Sequence, residues 1–331
     1  MRIRALTSAV AIAVVAAACG GAATTSSPPT SAPTTAPTTT STTAPTTTTA
    51  TEAVTFTGAD GVTSTITDTS RIVSLSGDFT EIIYELGLGS DVVAVDVTTT
   101  FPAAAKDLPV IGFAQSLAAE PVLGFSPTLV LANTLTAPSD AIEQIRAAGV
   151  PVVVIDSGAS LDQVSPKITA IAQILGVPDA GAALAGRVQG EIDAAVALGA
   201  TASEQPRVAF VYTRGPQVLL LFGLGIATNA MITGANAIDT GAETGVMGAA
   251  PLTPEALVAA APDVIVLPES GVAALGGLDA VAALPGVGDT PAGRSGSFLV
   301  YDEAYFFNLG PRVGQALMQF VLDLHPELAS G

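Results

Sequence analysis

A single histidine and a single cysteine restrict the chemistry open to this chain. A Ser-His-Asp triad needs an imidazole, and the sole one, His325, falls in the last turn of an expected C-terminal helix, where a solvated helix-end role is expected. Clustered His and Cys metal sites are excluded for the same reason, and no metal ligands are assigned. With Cys19 alone, no disulfide can close within the chain. Carboxylates are abundant instead: 29 Asp and Glu stand against 11 Lys and Arg, a formal net charge of −18. That balance argues against nucleic acid as a partner, because phosphate backbones are bound through basic side chains. An acid–base pair of carboxylates stays open. Two glutamates stand out by context. Glu120 opens EPVLGFSPTLVL and Glu255 opens EALVAAAPDVIV, each reading as glutamate, short apolar helical turn, proline and buried strand. Arginine-led strands, RIVSL at Arg71 and RVAFV at Arg207, precede the two at nearly equal distances.

Elements must hold that repeat in place. Between the cassettes runs DAGAALAGRVQGEIDAAVAL (Asp179 to Leu198), good helix formers with no internal proline, with Asp179 expected as N-cap behind Pro178. The expected fold is α/β: two Rossmann-like lobes with parallel sheets, residues 70–158 and 205–331, joined by this single long helix within a helical linker at 159–204. Strands written as continuous apolar runs (Val92–Val95, Val152–Ile155, Val264–Leu267) alternate with helices, the pattern of a parallel sheet covered on both faces. Asp78 and Glu81 stand in capping-box spacing at the head of the first helix. A hairpin-like return through Arg214 joins Val208–Val211 to Val218–Phe222, Gly276 to Leu284 reads as a helix, and residues 54–69 could form a small hairpin. In open parallel sheets, ligands sit at the carboxyl ends of the strands.

The N-terminus has a different purpose. Arg2 and Arg4 precede an apolar run, Ala5 to Ala18, shorter than the roughly 20 residues that span a bilayer. AAACGG follows, so residues 1–18 read as a lipoprotein signal with Cys19 as the lipidated residue; an ordinary secretory signal is the alternative. From Thr24 to Thr51 every residue is Thr, Ser, Pro or Ala. Residues 19–53 therefore read as a disordered tether, and extended at 3.1 Å per residue its Thr/Pro tract reaches about 85 Å. The product is an extracytoplasmic protein anchored to the outer face of the cell membrane. GLGIAT (Gly223 to Thr228) follows a strand as a dinucleotide loop would, but Thr228 replaces the third glycine, so a glycine-rich turn explains it better.

With both lobes in order, the chain resembles the periplasmic binding proteins of the cobalamin, siderophore and haem uptake class, and within it the haem-binding lipoproteins of haemin ABC importers. RIVSLSGDFTEIIYELGLGSDVVAVD (Arg71 to Asp96), TTTFPAAAKDLPVIGF (Thr98 to Phe113), the Glu120 cassette, IRAAGVPVVVI (Ile145 to Ile155), PLTPEALVAAAPDVIVL (Pro251 to Leu267), LPGVGDTPAGR (Leu284 to Arg294) and GPR (Gly310 to Arg312) carry the likeness. It covers about Ser70 to Leu328.

The resemblance implies a substrate-binding protein with no enzymatic activity and no intrinsic cofactor, expected as a monomer. It would carry haem as transported ligand between its lobes to a permease dimer with its ATPase. Glu120 and Glu255 would each pair with arginines on a permease subunit. The family's axial tyrosine positions read Phe101, in Phe101-Pro102, and Ala249 here, and neither offers an oxygen to iron. Met247, Tyr301 and Tyr305 remain as candidate ligands. Arg214 and Arg312 match family arginines that could pair with ligand carboxylates, and Phe101, Phe113, Phe306 and Phe307 would line an apolar cleft wall. A siderophore or cobalamin-like ligand, a surface sensor or scavenger without a transporter, and an enzyme on the same fold are the alternatives.

Overall fold

A computed structural model describes residues 53–330; the signal, Cys19 and nearly all of the tether lie outside these residues. An antiparallel hairpin comes first, β1 (Val54–Thr57) with β2 (Thr63–Ile66). The N-terminal lobe follows with β3 (Ile72–Ser74), α1 (Gly77–Glu85), β4 (Val92–Val95), α2 (Ala119–Leu123), β5 (Leu129–Asn133), α3 (Ser139–Ala147) and β6 (Val152–Ile155). Its four strands are ordered β4-β3-β5-β6 and are all parallel. Helices α4 (Val164–Ile174) and α5 (Pro178–Gly199) lead into the second lobe.

That lobe contains β7 (Arg207–Thr213), β8 (Leu219–Phe222), α6 (Ala227–Gly234), β9 (Ile238–Asp239), α7 (Thr240–Glu243), β10 (Ala249–Pro251), α8 (Pro254–Ala260) and β11 (Val264–Pro268). It closes with α9 (Glu269–Leu275), α10 (Leu278–Ala282), α11 (Pro291–Ser295), β12 (Phe298–Tyr301), α12 (Glu303–Phe307) and α13 (Val313–Leu324). The order is β10-β8-β7-β11-β12, with β9 alongside β7. Here the sheet is mixed. β7, β9, β11 and β12 run parallel, but β8 returns on β7 through the short Arg214 turn and β10 pairs with β8, both antiparallel. A connection that short cannot make a parallel crossover.

Helix α5 buries Gly181, Leu184, Ala185, Val188, Ile192, Ala195 and Gly199, one stripe at helical spacing. Two glycines bring neighbours onto it. A Cβ on Gly181 would lie 2.1 Å from Ala172 Cβ of α4, and one on Gly314 of α13 would lie 2.4 Å from Glu191 Cβ of α5. The result is one continuous core in which Ile72 and Leu131, Val188 and Ile192, and Val266 and Phe320 belong to the same packed cluster. The opposite face of each sheet has its own smaller cluster, around Val130 in the first lobe and Ile265 in the second.

Three local expectations are corrected. The N-cap of α5 is Val177 with Pro178 in the first turn, so Asp179 sits inside the helix, where its charge favours the positive end. The expected helix at 276–284 is present but shorter, as α10, because Gly276 (φ 98°) and Gly277 (φ 108°) take positive-φ conformations that separate it from a further helix, α9. Helix α1 is entered from Ser76, and Asp78 and Glu81 form no capping box; both carboxylates are taken by distant cations.

Candidate ligand site between the lobes

The site grows from the carboxyl ends of β3, β4 and β12. Gly77 opens α1 so close to the loop after β4 that a Cβ there would lie 2.4 Å from Thr98 O, and its N–H donates to Thr98 Oγ1 at 2.9 Å. Thr98 in turn donates from Oγ1 (2.6 Å) and N (3.2 Å) to Asp96 Oδ1 at the end of β4. This fastens the stretch that carries Phe101 to the head of α1. From α1, buried Glu81 accepts two hydrogen bonds from Arg312, Nε to Oε1 at 2.8 Å and Nη2 to Oε2 at 2.9 Å. The Arg312 guanidinium carbon lies 3.7 Å from the Phe101 ring centroid and 5.2 Å from that of Tyr305. Two groups of the first lobe, Glu81 and Phe101, thus meet two of the second, Arg312 and Tyr305, around one planar cation.

Beneath it, Lys167 of α4 donates to Asp78 Oδ2 at 2.6 Å and to Ser157 O at 3.0 Å, with side chains only 2% and 5% exposed. Ser76 bridges Asp78 to Asn133 Nδ2 (3.2 Å), at the end of β5. Burial pushes the Glu81 carboxyl up, and the Arg312 pair draws it back. Burial also raises Asp96 to about 6, opposed by the Thr98 hydrogen bonds and reinforced by the Asp78 charge. Desolvation penalises the ionised form, so Asp96 contributes stability below its ordinary 3.8 that is lost as pH rises through about 6. A difference of about two units corresponds to about 3 kcal/mol. Asp96→Asn keeps an acceptor for Thr98 and should remove this fall: urea unfolding between pH 4 and 7 should give a flatter stability profile than wild type. Parallel profiles would refute the assignment.

The site residues expected from sequence divide into groups. Phe101, Tyr305 and Arg312 are brought together. Arg214 stands at the end of β7, its Nε donating to the Tyr212 hydroxyl and its Nη2 3.8 Å from Glu303 Oε1 of α12. Met247 is 71% exposed on the segment before β10, bridged to Leu224. Tyr301 donates its hydroxyl to Asp323 of α13, and its ring stacks 4.7 Å from Phe306 and edges onto Phe320. Burial pushes the Tyr301 phenol well above its usual range. Phe306 is fully buried in that aromatic stack, not on a cleft wall; Phe307 is half-buried against Phe210, and Phe113 is exposed. His325 is 2% exposed, with Nε2 2.9 Å from Ala235 O, so the solvated role expected for it is wrong: the chain after α13 folds back onto the core. Glu120 and Glu255 each occupy the second position of a short helix, α2 and α8, and both are exposed. Among the described residues no group of three His, Cys, Asp or Glu could hold a metal, and no helix is long and apolar enough to cross a membrane.

Sequence reasoning missed Glu81, Asp78, Lys167 and Asp96 as partners in the site. Lys167 carried a signal, since it lies among Val164, Ile168 and Ile171 on the apolar stripe of α4. A lysine is almost never fully buried without a counter-charge.

Two α/β sheets packed on a shared helical core, with polar groups meeting at strand ends, define a bilobal ligand-binding protein. The chain belongs to the periplasmic binding protein family, whose model matches residues 72–305. It is 40% identical to the periplasmic heme-binding protein RhuT from Roseiflexus sp. RS-1 in apo form, with a TM-score of 0.77 over 79% of this chain and 100% of that one. An uncharacterized ABC transporter substrate-binding lipoprotein of Bacillus subtilis (strain 168), YvrC, is 26% identical over 263 residues, 78% of this chain and 81% of its own length. A vitamin B12-binding protein of Vibrio campbellii is 29% identical over 124 residues, 38% of this chain and 45% of that protein.

Proposed function

We propose that this protein is the lipid-anchored, extracytoplasmic substrate-binding subunit of an ABC importer, and that it takes haem between its lobes and passes it to a permease dimer driven by an ATPase. It performs no covalent chemistry on its cargo and acts as a monomer. The observation that carries this reading is the Phe101–Arg312–Tyr305 platform at the strand ends, where a flat cation and two rings suit a flat, apolar, carboxylate-bearing ligand. Likeness to a haem-binding structure over nearly the whole folded part supports the same cargo. With Phe101 and Ala249 unable to ligate iron, Tyr305 supplies the oxygen. Its backbone N–H is held by Asp302 and its hydroxyl has no partner among the described residues; burial raises its phenol above the ordinary range, and the Arg312 guanidinium opposes that rise. Met247 is the alternative ligand.

Titrating purified protein with haem tests this directly. A saturable Soret shift is expected, changed in position by Tyr305→Phe and left in place by Met247→Ala. No shift with haem, together with binding of a cobalamin, would replace the cargo with the corrinoid that the partial match to a vitamin B12-binding protein favours.

A further inference from the structure

Two arginines face the ligand side of the fold, and they stand in opposite electrostatic conditions. Arg312 is 19% exposed, and its charge is matched by Glu81, itself 4% exposed and bonded through both oxygens. Arg214 is 56% exposed; its short partner is a neutral phenol, and the carboxylate near it, Glu303, is 3.8 Å away, beyond hydrogen-bonding distance. A ligand carboxylate that drew the Nε–Nη2 edge of Arg312 away from Glu81 would break two charge-assisted bonds and leave the Glu81 anion buried without a counter-charge, and one that bound at Nη1 would meet a charge already matched. An ion stripped of its partner in the interior costs far more than an exposed pair returns. Arg214, more exposed and only 3.8 Å from the partly exposed Glu303, incurs a smaller penalty.

We propose that Glu81 is a positioning residue of the ligand site: by holding Arg312 flat against Phe101 it converts that arginine into a charge-matched stacking surface, and the carboxylate edge of the ligand is taken by Arg214. Glu81 so sets both the orientation of the ligand and which charge on it is read. The inference rests on the tetrapyrrole reading above and divides the roles of two residues within it.

Haem and haem dimethyl ester, identical except for masked carboxylates, separate the two arginines. The readout is the ratio of their affinities, which a purely structural role would leave unmoved. Wild type should prefer haem by about tenfold, the size of one charge-assisted contact. Arg214→Ala should bring the ratio close to one. Arg312→Ala should weaken both probes by a similar factor and keep the ratio. Glu81→Gln, which leaves the Arg312 charge unmatched, should raise the preference for haem several-fold. Collapse of the ratio in Arg312→Ala with its retention in Arg214→Ala would overturn the division, as would an unmoved ratio in Glu81→Gln or a wild type blind to the ester. Arg214→Ala and Glu81→Gln decide the matter alone if Arg312→Ala does not fold. Wild type that binds neither probe overturns this inference and the tetrapyrrole reading together, whereas binding with the wrong arginine pattern overturns this inference only.

Discussion

Cells that depend on this protein for uptake should lose transport when Glu120 and Glu255 are both replaced by glutamine, while the purified variant binds its ligand as tightly as wild type. The two carboxylates stand at matching positions, second in α2 and second in α8, and both are exposed. Neither has an ion-pair partner among the described residues. A carboxylate in a first helical turn is favoured by the helix dipole, and that local role contributes only about 0.3–1 kcal/mol. If this were their whole purpose, the double variant would be slightly less stable and transport normally. Docking onto arginines of a two-subunit permease asks far more of them. Removing one member of a desolvated interfacial charge pair costs about 2–5 kcal/mol, so losing two should depress delivery by orders of magnitude. Uptake measured beside ligand affinity and melting temperature separates the cases, and full transport in the double variant would end the docking assignment.

Lys167→Met should be the most damaging single change to stability. The substitution preserves volume and leaves the Asp78 carboxylate in the interior without its counter-charge, for which about 3–5 kcal/mol is expected. It also removes the bond to Ser157 O, which ties α4 to the loop after β6. The double variant Asp78→Asn with Lys167→Met removes both charges and should recover most of the loss, because two neutral side chains carry no ionic desolvation cost. Chemical denaturation of the four proteins in the cycle provides the coupling energy. A single-variant loss below about 1 kcal/mol, the range of a surface pair, would mean that water reaches the site. The same cycle followed by haem binding tests whether Asp78 positions Ser76 and Asn133 for the ligand.

Much of the architecture is written locally. The long helix runs Pro178–Gly199, one residue beyond the expected span at each end, because proline at its start, helix-forming residues throughout and an apolar stripe at helical spacing are properties of neighbouring positions. The hairpin, the strand-helix alternation and the paired glutamate cassettes are legible for the same reason. So are the exclusions of nucleic acid, disulfide and His/Cys metal chemistry, which follow from residue counts alone. What a polar side chain does depends on who meets it, and here periodicity misleads. Asp78 and Glu81, three residues apart at a helix start, match a capping pattern, yet each pairs with a cation far away in the chain, 89 and 231 residues distant. Tyr301 and Tyr305 sit four residues apart around the start of α12, but the Tyr301 hydroxyl is consumed by Asp323 while Tyr305 flanks Arg312. His325 is buried because the terminal segment returns to the core. The sequence by itself determined the class of protein, its two α/β halves and the helix between them. Only the tertiary structure decided which of its few cations are matched by buried carboxylates, because ion pairing is set by burial and by the meeting of distant segments, and neither is encoded in local spacing.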